Sequence, residues 1–242
     1  MKKSIPVLAA SLLVASGFAG SVVQAAGPVG EVTHLSGLLT TKRADGSTRV
    51  FAVRSQVQEG DTLNTEQETY ARVKFADGSE VVLRPASQVK VESFKFDRDK
   101  PEGDNVLINM FKGGMRAVTG LIGKRNRDAV NFATATATVG IRGTHFSMLL
   151  CQNDCGSIIM PATGKPPPNG MHVDVADGAV VMKTATGQQQ INSGQSAYAA
   201  TPQSTPVIVP QSESVKVTMP VAISQNAASR ALGKNGTSCD VQ

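Results

Sequence analysis

Apolar residues recur at alternate positions along most of this chain. Val73 and Phe75 lead into Ala76-Asp77-Gly78, Val81 and Leu83 follow it, and Val173 and Val175 precede Ala176-Asp177-Gly178. A period of two turns one face of a segment inward and the other toward water, as a half-buried β-strand requires. Asp-Gly between alternating runs signals a hairpin, because a tight turn matching strand twist needs positive φ, which Gly adopts freely and Asp tolerates better than most. Ala44-Asp45-Gly46, Asp77-Gly78 and Asp177-Gly178 are therefore expected to be hairpin turns. Their carboxylates are expected to serve nearby backbone amides rather than chemistry, so that Asp77→Asn changes little.

From Gly30 to about Phe96 short alternating runs are separated by turn signals such as Glu59-Gly60-Asp61 and Arg84-Pro85-Ala86-Ser87, the spacing of many short antiparallel strands. Val89 and Val91 have one parity and Phe94 and Phe96 the other, which predicts a bulge or bend near Ser93. Beyond the charged loop 97–105, Val106 to Phe111 reads as a strand and Gly113-Gly114 as a turn. Met115 to Ile122 fits either a second strand or a single helical turn. Apolar positions from Ala133 to Ile141 share one face, whereas Phe146, Met148 and Leu150 take the other, so a bulge is expected at Arg142-Gly143. Pro166-Pro167-Pro168 marks an exposed tip before the alternation resumes at Met171. The fold class expected is all-β. After Ala200 the chain is rich in Pro, Ser, Gln and Val and is expected to be a flexible or loosely docked extension over 201–242.

The first residues alter the picture of where the chain works. Two lysines, an apolar stretch from Ile5 to about Gly20, and the small residues around Val23-Gln24-Ala25 form an export signal over residues 1–25. The stretch is broken by Ser and Gly and is short for a durable membrane span, so cleavage after Ala25 is expected, with an uncleaved anchor as the alternative. Removing it leaves 217 of the 242 residues and takes the formal net charge from +5 to +3. The remaining cations are scattered, which argues against nucleic acid as a partner. With no Trp and 4% aromatic residues, stacking platforms for bases or sugars are scarce.

Five segments then occur in order: Gly60-Asp61-Thr62-Leu63-Asn64-Thr65, KFADGSEVVLRPASQVKV, GGMRAVTGLIGK, TATVGIRGTHF, and VDVADGAVVMK with Asn192-Ser193-Gly194-Gln195. Together they resemble a FecR domain, the periplasmic part of the ferric-citrate sensor FecR and of many exported proteins. The resemblance runs over 30–200 and implies a solenoid-like or sandwich-like stack of short strands. It makes Asp77, Gly78, Gly113, Gly114, Gly143, Asp177 and Gly178 the turn and structural signature of the fold. FecR sensors that contact a sigma factor do so through a cytoplasmic segment, and only a few residues precede the apolar stretch here. The resemblance therefore implies fold and envelope location rather than sigma-factor signalling.

Candidate chemistry is sparse. No nucleophile motif, zinc-protease motif or phosphate loop occurs, so no catalytic residue, metal or cofactor is assigned and the protein is expected not to be an enzyme. Cys151 and Cys155 are expected to form a disulfide in an oxidising compartment, closing a small ring worth about 2 kcal/mol. A zinc site adding His145 and His172 is the alternative, and His34 has no partner in sequence. Cys239 remains, free or paired between chains. Asp97, Asp99, Glu102 and Asp104 form a solvated loop or a weak calcium site. Lys124, Arg125 and Arg127, with Arg116 and Lys112, form the best basic patch. Two functions fit: a non-enzymatic envelope module that binds a protein or organises at the cell wall, using loop tips such as 151–171, or a periplasmic small-ligand or glycan sensor acting through another protein. The ligand-binding residues are left open. Mass measurement of protein from envelope fractions is expected to give a chain beginning at Ala26; an intact Met1 in the membrane fraction would overturn the export reading.

Overall fold

The computed structural model describes residues 27–210 together with 214, 215, 220 and 223. The expected export signal at 1–25, Cys239 and most of the extension lie outside the described residues. Seventeen strands form one hydrogen-bonded network that divides into two half-sheets sharing a single strand, β9 (Asn105–Val118). The first half-sheet runs β4 (Gln56–Val57), β1 (Gly30–Leu35), β6 (Ala71–Phe75), β7 (Glu80–Leu83), the C-terminal part of β9, β12 (His145–Cys151), β13 (Gly170–Asp177), β16 (Ser196–Ala199) and β17 (Val207–Val209). The second runs β3 (Thr48–Phe51), β2 (Leu39–Lys42), β5 (Thr62–Thr65), β8 (Gln88–Lys95), the N-terminal part of β9, β10 (Val130–Ala133), β11 (Thr138–Ile141), β14 (Ala179–Lys183) and β15 (Gln188–Asn192).

The chain winds between the half-sheets through short links, so the fold is solenoid-like in its path and sandwich-like in its packing. Alternation explains the packing. Val73 and Phe75 of β6, Val81 and Leu83 of β7, and Val89 and Val91 of β8 all enter one continuous core. Phe75 stacks on Phe94 at 5.0 Å between ring centres, and Phe132 meets Phe146 edge-on at 5.1 Å, each pair joining one half-sheet to the other. Side chains of this size contribute roughly 1.5–3 kcal/mol each when fully buried.

Among the described residues the pairings are antiparallel with one exception, β9 beside β10. A parallel pair needs a crossover. Here α1 (Leu121–Arg125) and a single 3-10 turn at Arg127–Ala129 supply it, after β9 has ended in the first half-sheet. The segment from Met115 to Ile122 is thus a strand to Val118 and then the start of a helix. Near Ser93 the register of β8 on β9 shifts as the change of parity requires, leaving Glu92 as the extra residue.

Two turn expectations and one bulge expectation need correction. Gly113-Gly114 is not a turn: β9 continues through it while passing from the second half-sheet to the first, with Gly113 at φ 79°. A Cβ at Gly113 would lie 2.7 Å from Ser87 Cα, so only glycine lets the strand pass the 84–87 turn. Asp177-Gly178 is not a hairpin, since β13 and β14 pair with other strands; it is a corner between half-sheets. Arg142-Gly143 is the neighbouring corner rather than a bulge. A Cβ at Gly178 would meet the Gly143 carbonyl at 2.1 Å, so the two corners nest. The period of two reports faces but not which partner a strand selects, and a corner reads like a turn.

The other two Asp-Gly pairs are hairpins of one geometry. Arg43 N donates to Ser47 O at 2.8 Å with Gly46 at φ 84°, and Phe75 N donates to Ser79 O at 2.9 Å with Gly78 at φ 81°. Asp45 is exposed and accepts the Ser47 amide at 2.8 Å. Asp77 is buried and does more. Its Oδ1 accepts the Ser79 amide and hydroxyl at 2.9 and 2.6 Å, its Oδ2 faces the Ile122 amide at 3.4 Å, and its carbonyl accepts the Leu121 amide at 2.9 Å. The turn aspartate therefore also fastens the first turn of α1.

Past Ala200 the first half-sheet gains β17, an edge strand set between Pro206 and Pro210. No helix among the described residues is long and apolar enough to cross a membrane. Chemical denaturation is expected to show Asp77→Asn destabilising by about 1–2 kcal/mol, because an amide nitrogen would replace the buried acceptor facing Ile122. Asp45→Asn is expected to stay within about 0.5 kcal/mol at its exposed turn. Equal effects would reduce Asp77 to a turn residue.

Candidate interaction site beneath the disulfide loop

The loop between β12 and β13 is long and rich in Pro and Gly, yet it holds its own shape. Cys151 and Cys155 are joined by a disulfide. Asn153 N donates to Asn169 Oδ1 and Asn169 Nδ2 to Asn153 Oδ1, both at 2.7 Å, clamping the two limbs of the loop together. Met160 N bonds Lys165 O at 2.9 Å. Leu149, Cys151, Cys155 and Met160, with Ile158 and Val215, make a second small core separate from the main one.

Below this loop lies a groove of about 750 Å³. One wall is the Gln67–Tyr70 turn, the other the segment Asn153–Ile158, and the floor is Arg84–Ala86 with Lys112–Gly114. Among the described residues four non-glycine residues have positive φ, and three of them line this groove: Glu68 at 62°, Ala86 at 54° and Asn153 at 66°. The left-handed region is costly for residues with a side chain, and backbone held there concentrates at binding sites whose surroundings fix it. The surroundings here are specific. Ala86 N donates to Glu66 O at 3.2 Å, Thr65 Oγ1 donates to Arg84 O at 2.6 Å, and Ser87 N donates to Thr65 Oγ1 at 2.9 Å. Ser87 Oγ donates to Gly114 O at 3.0 Å and accepts from Gly114 N at 2.9 Å, tying the turn to β9 where it changes half-sheet. Arg84, whose buried Nε has no acceptor among the described residues, and Lys112 bring positive charge; Glu68 and Asp154 bring negative charge. The groove is thus rigid, polar along its floor, and apolar where Leu149 and Ile158 reach it.

The residues singled out in sequence are distributed differently. With both sulfurs bonded, neither cysteine offers a thiolate to a metal. His172 is buried behind the loop, its Nε2 against Pro168 O at 2.9 Å and its ring 4.7 Å from Tyr198. His145 accepts from Arg116 Nε on the outer face of the first half-sheet, and His34 lies opposite Arg72 on β1. In the acidic loop Asp97 Oδ1 accepts the Asp99 and Lys100 amides, while Asp104 pairs with Arg125 of α1 at 2.8 Å. Among the described residues no three His, Cys, Asp or Glu side chains converge as a metal site would need. The basic patch is dispersed, with Arg125 on Asp104 and over Phe96, Arg116 on His145, and Lys112 in the groove. Glu68 and Ala86 escaped sequence reasoning because neither residue type announces positive φ.

The family described as FecR protein matches residues 61–181, from the start of β5 into β14. The chain belongs to the FecR family. The FecR match includes the groove floor and both corners, while β1 to β4 and β15 to β17 complete the same half-sheets outside it. Among solved structures the FecR chain is similar to a cell surface anchoring domain, with 28% identity over 26% of this chain and 84% of that one, TM-score 0.26. It is also similar to a candidate anti-sigma factor from Parabacteroides distasonis, with 15% identity over 64% of this chain and a TM-score of 0.45. The chain spans 60% of the length of that protein. No curated protein matches.

Burial lowers the pKa of His172 from the ordinary 6.5, and burial together with Arg116 lowers that of His145. The unfolded chain therefore binds more protons than the folded one, and the stability this confers is complete above the unfolded value of about 6.5 and lost as pH falls below it. Denaturation midpoints are expected to drop between about pH 7.5 and 5.5, and His172→Asn to flatten that drop. An unchanged slope in the variant would remove His172 from the account.

Proposed function

We propose that this FecR domain is a non-enzymatic module of the bacterial cell envelope that binds a protein partner through the groove and the disulfide loop above it. The observation that carries the reading is the concentration of left-handed, non-glycine backbone at Glu68, Ala86 and Asn153 around one groove. Membership of the FecR family and the export signal read at residues 1–25 support the envelope as its place, periplasmic or secreted. The groove pairs an apolar wall with a basic floor, which suits an extended polypeptide presenting an apolar side chain beside a carboxylate or a row of carbonyls.

A second reading has its own support. A volume of about 750 Å³ lies within the roughly 300–1,000 Å³ range of small-ligand sites, so a glycan or small-molecule sensor relaying its state to another protein is the alternative.

Affinity capture from envelope fractions distinguishes the two. The intact protein is expected to retain one stoichiometric protein, and the variant Arg84→Glu with Lys112→Glu to lose it by ten-fold or more at an unchanged melting temperature. A retained glycan with no protein would establish the alternative. Equal capture by wild type and variant would move the site elsewhere.

A further inference from the structure

The outer face of the first half-sheet ought to be open to water, yet part of it is covered. Val81 and Leu83 of β7 point into the main core, so Val82 between them points outward, and it is nevertheless buried at 6% exposure without belonging to that core. Val82 stands opposite Arg72 on one side and Arg116 on the other. On the same face, across β9, Leu149 of β12 is 1% exposed.

Residues from beyond β17 are buried against part of this face. Val215 is buried in the small core with Leu149, Cys151, Cys155 and Met160. Ser214 beside it is buried, and so is Ile223, whose carbonyl lies 3.5 Å from Arg72 Nη1. One anchor therefore sits at the disulfide loop and the other at β6. Between β12 and β6 lie β9 and β7, three strand spacings or about 14 Å. Eight residue steps separate Val215 from Ile223, and a chain of that length can span from about 12 Å as a helix to roughly 26 Å extended, a range that includes the separation of the two strands.

We propose that the outer face of the first half-sheet, from β6 to the disulfide loop, is a docking surface whose occupant is the chain's own C-terminal extension, anchored by Val215 and Ile223. The inference does not depend on what the groove binds. It does add a link to it, because Leu149, Cys155 and Ile158 serve both the Val215 anchor and the groove. The extension is then a structural part of the domain at that end.

Lys216, next to the Val215 anchor, provides the test. Timed trypsin digestion of the full chain, read by mass spectrometry, is expected to show cleavage after Lys216 at least about ten-fold faster in Val215→Asp and in Ile223→Asp than in the unaltered protein, because proteolysis follows the undocked population. Cleavage after Arg72 and Arg116 is the internal control and is expected to stay slow in all three, which separates undocking from unfolding. Equal rates after Lys216 in the unaltered and substituted chains would overturn the proposal. Protection that grows with protein concentration and accompanies a dimer on gel filtration would also overturn it, by making the occupant a second copy's extension.

Discussion

One strand passing from one half-sheet to the other sets most of this structure. β9 pairs with β8 and β10 in the second half-sheet and with β7 and β12 in the first, and the change happens at Gly113-Gly114. The passage depends on a missing side chain: with Ser87 Cα 2.7 Å from where a Gly113 Cβ would stand, any other residue would push the 84–87 turn off the strand. When β9 leaves β8, the ladder between them ends at Gln88, and the chain before it must turn away. That turn, with Ala86 forced to positive φ, becomes the groove floor. The candidate site is thus a by-product of how the two half-sheets are joined.

The alternating pattern made the strands, the all-β class and the change of face near Ser93 legible, because burial on one face writes itself directly into residue choice. Partner selection is not written that way. Asp177-Gly178 carries the same residues as the true hairpins at Asp45-Gly46 and Asp77-Gly78, and only the identity of the neighbouring strands makes it a corner. Gly113-Gly114 gave a turn reading for the same reason: glycine permits positive φ but does not say whether the chain reverses or continues. The groove was the least legible feature. Its walls come from segments near 68, 86, 113 and 155, far apart in sequence, and the strained residues Glu68 and Ala86 are of types with no intrinsic claim on left-handed backbone.

The proposed function draws on rigidity at one end. The disulfide, the Asn153–Asn169 clamp and the small core beneath them hold a long loop that its composition alone would leave mobile, while the Thr65–Ser87–Gly114 bonds hold the floor. A surface fixed from both sides loses little conformational freedom when something binds to it, which favours specific recognition over adhesive contact. The buried Asp77 illustrates the same economy at the opposite turn, where one carboxylate shapes a hairpin and starts a helix.

Among the described residues both half-sheets end in strands with one free edge, and the rim at β17 is the more apolar case. Val207 and Ile208 are partly exposed there, the composition that invites another chain to add a strand. Pro206 and Pro210 bracket that three-residue segment and offer no amide hydrogens, so an incoming strand finds its ladder cut short at both ends. A row of only three residues flanked by two prolines thus gives another copy of the domain little backbone to pair with along this rim.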